Sequence, residues 1–171
     1  MKLLRQGTAL LLLASLLAAA PTAGAQDDGT SILAGAQLTR VVPTGFYFEG
    51  QSAPTQMRNS AAARFGEKRH VVVGMVDTSG YSADVRAKYE GFFITDSAFR
   101  VGGEELPAGA YGFGFTDDGK FNLFDVGGRQ ILSAGTTSDR ALRRPRPLMM
   151  TREGAQVRLY SGRSFVVIAA R

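Results

Sequence analysis

The sequence predicts a mainly β protein: an antiparallel meander that closes as a barrel or folds into a sandwich, with one packed helix. Three observations carry this. From His70 onward, short runs rich in Val, Phe, Tyr and Ile recur at close intervals. Between them stand Gly102-Gly103, Asp117-Asp118-Gly119, Gly127-Gly128, Glu153-Gly154 and Ser161-Gly162, which supply the positive φ that tight hairpins need. Only one stretch, Gln56 to Phe65, shows a clear helical stripe.

The chain opens on an export signal. Met1 to Arg5 is basic, Thr8 to Ala20 is an apolar run, and Ala23-Gly24-Ala25 places small residues where a signal peptidase inspects them. Cleavage is expected before Gln26, which leaves one exported domain over residues 26–171 and places the protein in the periplasm or outside the cell. The run is shorter than the ~20 apolar residues of a membrane span, and no Cys follows it to take a lipid, so no membrane segment is expected in the mature chain. The roughly 150 residues that remain suit a single core, which at that size buries about 70% of the unfolded chain's surface.

Beyond the polar Gln26 to Thr30, the apolar positions Leu33, Leu38, Val41 and Val42 fit neither period. Residues 32–42 are therefore read as an extended arm, with Val42 held extended by Pro43. Phe46 to Glu49 reads as a short strand. The helix is placed at about 55–65: Thr55 can cap it, Met57, Ala61 and Phe65 recur at i+4, and Gly66 follows where a left-handed residue ends a helix. Val71 to Val76 is a strand, and Ser82 to Lys88 a helical turn capped by Ser82. Strands follow over 89–95, 99–101, 110–116, 120–126, 129–133, 147–150, 156–160 and 165–169. Residues 139–147, Asp-Arg-Ala-Leu-Arg-Arg-Pro-Arg-Pro, break the composition and read as a long surface loop whose prolines hold it extended.

Composition excludes several chemistries. There is no Cys, hence no disulfide, thiol nucleophile or Cys-ligated metal. His70 is the one histidine, which rules out a multi-His zinc site. Asp117-Asp118-Gly119 offers too few oxygens for a calcium loop and lacks its closing Glu. Gly112-Phe113-Gly114 lacks the third glycine of a dinucleotide fingerprint and has no helix after it. No metal and no cofactor is therefore expected. The net charge is +5, but the leader takes Lys2 and Arg5 with it and no acid, so the milder balance that remains is no argument for nucleic acid.

Two sets of residues remain as candidates. Beyond residue 25, fifteen Arg stand against three Lys (Lys68, Lys88, Lys120). Arg140, Arg143, Arg144 and Arg146 cluster in the proline-rich loop, where planar guanidinium forks can grip phosphate or carboxylate two bonds at a time. Tyr111 and Phe113, alternating with Gly112 and Gly114, give one face of a strand its rings and leave the other bare. Such glycines mark a sharp bend, a packed neighbour or a close ligand. Together Arg143, Arg144, Arg146, Tyr111 and Phe113 predict a site for a small amphipathic or anionic ligand, or for an envelope component. A hydrolase built on His70, Asp77, Ser79 or Ser82 is the alternative from another class, although the Gly-x-Ser-x-Gly elbow is broken and Asp77 can simply close its own turn. A third reading is a structural or assembly domain that recruits a chain through a free sheet edge.

The stretch Val101-Gly102-Gly103-Glu104-Glu105-Leu106-Pro107-Ala108-Gly109-Ala110-Tyr111 resembles the gly-x-x-leu-pro-ala-gly-x-tyr segment of an exported bacterial β-domain family of unknown function. The resemblance implies a β-turn-β phrase and export, and it implies no site residues.

Overall fold

The computed structural model describes residues 29–171; the expected export signal and its cleavage point before Gln26 lie outside the described residues. Fourteen strands and two short helices follow one another as β1 (Ser31–Leu33), α1 (Ala36–Val41), β2 (Gly45–Phe48), β3 (Gln51–Phe65), β4 (Arg69–Val76), α2 (Ala83–Arg86), β5 (Gly91–Thr95), β6 (Phe99–Val101), β7 (Glu104–Leu106), β8 (Gly109–Thr116), β9 (Lys120–Phe124), β10 (Gln130–Gly135), β11 (Thr137–Ser138), β12 (Arg146–Glu153), β13 (Gln156–Gly162) and β14 (Ser164–Ala170). All pairings are antiparallel. The larger sheet runs β1-β3-β4-β5-β8-β9-β10, with β2 also on β3; the smaller runs β12-β13-β14-β6-β7, with β11 also on β14. The two face each other in a sandwich-like arrangement, and among the described residues neither closes on itself as a barrel. No described helix is long and apolar enough to cross a membrane.

Hairpin chemistry set most of this. Gly102, Gly103, Gly119, Gly128, Gly154 and Gly162 all have positive φ, and the turns that contain them join β6–β7, β8–β9, β9–β10, β12–β13 and β13–β14. Between β3 and β10 the meander has one interruption. β5 pairs with β8, because the β6–β7 hairpin between them crosses to the other sheet, where Phe99, Val101 and Leu106 are buried in the inter-sheet core.

That core alternates with a second one. Ala61, Ala63, Phe65, Val71, Val73, Phe93 and Phe113 face the smaller sheet. Ala62, Val72, Val76 and Phe92 point the other way and meet Phe46, Phe48, Tyr81 and Tyr89, because successive strand side chains alternate faces. A cover formed by β2, α2 and the turns around them therefore buries the outer face of the larger sheet, which explains the unbroken apolar runs of β4 and β5.

Two expectations are corrected. The helix placed at 55–65 is the second half of β3: Ala61 to Phe65 pair with Val73 to Arg69 of β4, and Arg64 to Ala62 with β1. A spacing of four is shared by helix and strand, so Met57, Ala61 and Phe65 satisfied both periods. Burial of Ala62 and Ala63 on opposite faces decides for the strand. Gly66 is left-handed as expected (φ 65°), but it turns a hairpin. The extended arm over 32–42 is likewise divided. Only Ser31–Leu33 is strand; Gly35 at φ 53° turns the chain into α1, and Val42 then resumes an extended conformation before Pro43. Its apolar residues showed no single period because they serve three segments.

Candidate functional site

The Arg-rich loop between β11 and β12 is tied down over residues 139–142. Asp139 accepts through Oδ1 from the backbone N–H groups of Ala141 (3.0 Å) and Leu142 (3.1 Å), and through Oδ2 from the Tyr160 hydroxyl (3.1 Å). Arg163 donates through Nη1 to the carbonyls of Arg140 and Leu142. Asp139 N–H in turn donates to the Arg163 carbonyl at 2.9 Å. The first half of the loop thus has its backbone already held, so ligand binding need not supply that part of the ordering.

An open groove of about 600 Å³ lies under the loop, lined by Leu142, Arg143, Arg144, Arg146, Met149 and Met150, a volume in the usual range for small-ligand sites. Its floor is thioether and aliphatic; its rim is cationic. Among the described residues neither a carboxylate nor a hydrogen-bond partner meets the Arg143, Arg144 or Arg146 side chains, whereas Arg129 and Arg158 are held by Asp125 and Glu153. Arg146, Met149 and Met150 also border a smaller recess of about 230 Å³ that continues toward β1, α1 and β3. β12 is the edge strand of its sheet and packs against β3 and β1 of the larger one, so groove and recess together lie along the flank where the two sheets meet.

The structure separates the two halves of the expected site. Arg143, Arg144 and Arg146 come together as anticipated; Tyr111 and Phe113 belong to the inter-sheet core and line neither groove nor recess. Phe113 is fully buried. Tyr111 lies against Gly109, where a Cβ would stand 2.7 Å from its hydroxyl oxygen, and that hydroxyl donates to the Pro107 carbonyl at 3.0 Å. Pro107, Gly109 and Tyr111 thus form a corner that carries the chain from the smaller sheet into the larger. The bare face opposite is explained by packed neighbours: the Phe48 ring lies on Gly112 and the Lys88 carbonyl on Gly114.

The hydrolase residues do not converge. His70 is the second residue of β4 and Asp77 follows its end, about 23 Å apart at ~3.3 Å per residue. Asp77 accepts from the Ser79 N–H at 3.0 Å, closing a local turn, and this bond holds its carboxyl below the usual range. Ser82 caps α2 by accepting from the Val85 N–H. His70 Nδ1 is 2.8 Å from Asp96 Oδ2, and the His70 N–H donates to Asp96 Oδ1 at 2.8 Å. Partial burial pushes the Asp96 carboxyl up, but these His70 contacts and the Ser97 hydroxyl outweigh it and hold the pKa low. This cluster ties the β4–β5 ends together. No group of three or more potential metal ligands gathers among the described residues.

Sequence reasoning found the cations and missed what they stand on. Leu142, Met149 and Met150 were legible only as scattered apolar residues, and the anchors Asp139 and Arg163 lie too far apart in sequence to be paired by pattern. Replacing Asp139 with Ala is expected to cost about 1–3 kcal/mol, since it removes the carboxylate that accepts from the buried Tyr160 hydroxyl and the Ala141 N–H and leaves the Leu142 N–H only the Asp139 carbonyl at 3.4 Å. Equilibrium denaturation reads this directly, and a change under about 0.3 kcal/mol would contradict the anchoring role.

No family model, curated protein or solved structure matches the chain.

Proposed function

We propose that this chain is an exported, non-catalytic binding module that holds a small amphipathic anion in the groove beneath residues 142–146. The observation that carries the reading is the coincidence, in one groove, of an apolar floor and three guanidinium groups that meet no acidic partner among the described residues. Guanidinium forks left unneutralised by the protein are available to phosphate or carboxylate, while thioether side chains adapt to irregular apolar surfaces. The leader-like first 25 residues and the resemblance of Val101 to Tyr111 support export, and an envelope component is one source of such a ligand. The two facing sheets support a sandwich over a barrel, with the site along its β12 edge.

Changing Arg143, Arg144 and Arg146 together to Ser tests the reading. The melting temperature should stay nearly unchanged, because exposed charges add little stability. Binding of octyl phosphate, followed by calorimetry, should weaken about tenfold or more, given the ~1.5–3 kcal/mol typical of a hydrogen bond to a charged group. Wild-type affinity should also fall as salt rises. A control with Arg64, Lys68 and Arg86 changed to Ser removes equal charge from exposed positions elsewhere. Equal losses in both triple variants would reduce the loop to a solvated basic surface.

A further inference from the structure

We infer that the ligand is a monomeric, single-tailed amphiphile, with its anionic head at Arg143 and Arg144 and its alkyl chain running past Arg146 into the recess beside α1. This rests on the groove being the anion site. The recess adjoins that groove, since Arg146, Met149 and Met150 border both. Beyond them its walls are mixed: Ile32 and Leu33 of β1, Leu38 of α1, Ala61 of β3 and Leu148 of β12 supply apolar surface for a chain, and Arg58 and Ser60 of β3 stand beside them. Leu33, Ala61 and Leu148 are buried and Leu38 and Ile32 partly so, so this apolar surface is recessed, with Ile32, Ala61 and Leu148 on the inter-sheet side and Leu33 and Leu38 on the outer side. An object must enter it end-on to touch it, which an alkyl chain can do and a bilayer face cannot. At about 230 Å³ against about 600 Å³ for the groove, the narrower compartment takes the thinner part of the ligand. Arg146, at the junction, is placed to hold the head on the groove side while its aliphatic stem lies along the chain. The inference also gives α1 a role: six residues with no buried side chain of their own contribute Leu38 as one wall of the tail compartment.

The test is an alkyl phosphate series from ethyl to decyl, each below its micelle concentration, titrated into the wild-type protein by calorimetry. From butyl upward affinity should tighten about fourfold per methylene, equivalent to ~0.8 kcal/mol, and level off once the recess is filled. Ala34 is exposed at the recess wall. Ala34→Phe should fill the space and collapse the ratio of decyl to butyl affinity toward one, and Leu38→Gln should reduce the same ratio. Alkyl phosphates that bind with Arg dependence but with no gain per methylene would overturn the tail assignment and leave the anion site standing. A gain per methylene that persists in both variants would place the tail elsewhere and overturn it as well. Phosphates that bind no better to wild type than to the triple Arg variant would instead overturn the groove itself. Cosedimentation with phosphatidylglycerol vesicles in the absence of any binding to monomeric alkyl phosphate would replace the monomeric amphiphile with a membrane surface.

Discussion

Phe65→Ala is expected to cost about 3–5 kcal/mol of folding stability, the range for emptying a fully buried aromatic site. Phe65 ends β3 at 1% exposure, and its ring meets Phe99 of the opposite sheet edge-on at 4.9 Å between centroids. The ring therefore spans the two sheets, and neither backbone can close over the space it would leave. Met57 supplies the comparison. It shares the spacing that suggested a helical stripe, yet it is 38% exposed, because the register of β3 against β4 shifts between Thr55 and Ser60. Met57→Ala should accordingly stay within about 0.5 kcal/mol, as for most surface changes. A buried helical stripe would make both residues costly; the bulged strand makes only one so. Urea denaturation of the two variants separates these cases, and equal losses would contradict the register described here.

The contrast at β3 shows what was readable in advance and what was not. Glycine-containing turns fix local backbone sign, so five hairpins and most strands between His70 and Ala170 could be placed from residues alone. Three alanines in a row have high helix propensity, and the decision against helix comes from β1 and β4 on either side, partners that no local window contains. The same reasoning applies to the site. A cluster of Arg among prolines is visible in any composition scan. The groove beneath it is not, because its walls come from residues 142–150 and those of the adjoining recess from β1, α1 and β3, about a hundred residues earlier. The rings of Tyr111 and Phe113 drew attention as a possible ligand floor. Their bare neighbours Gly112 and Gly114 are filled by this chain's own cover.

Gly114→Ala carries that last point to a measurable result: a loss of at least about 3 kcal/mol, the upper end of what overpacking costs. A Cβ at Gly114 would lie 2.0 Å from the Lys88 carbonyl oxygen and 2.9 Å from its carbon. The obstruction is backbone, so no rotamer change relieves it. Nor can the segment readily lift: Lys88 Nζ is 2.6 Å from Glu49 Oε1 and sits 5.7 Å from the Phe124 ring centroid, while the next residue, Tyr89, stacks on Phe48 at 4.0 Å. Moving Lys88 away from β8 would therefore peel the cover from the outer face of the larger sheet. Gly112 is the milder case, since its Cβ would meet the side-chain ring of Phe48, which can turn aside in part. Gly135 on β10 has nothing within 4 Å of the built Cβ and no positive φ, so Gly135→Ala should be neutral or gain about 0.4–1 kcal/mol by restricting the unfolded chain. The expected order of stability is Gly135→Ala, then Gly112→Ala, then Gly114→Ala. A Gly114→Ala protein as stable as wild type in thermal and chemical denaturation would mean that the Lys88 segment does not rest on β8, and the cover layer would have to be redrawn.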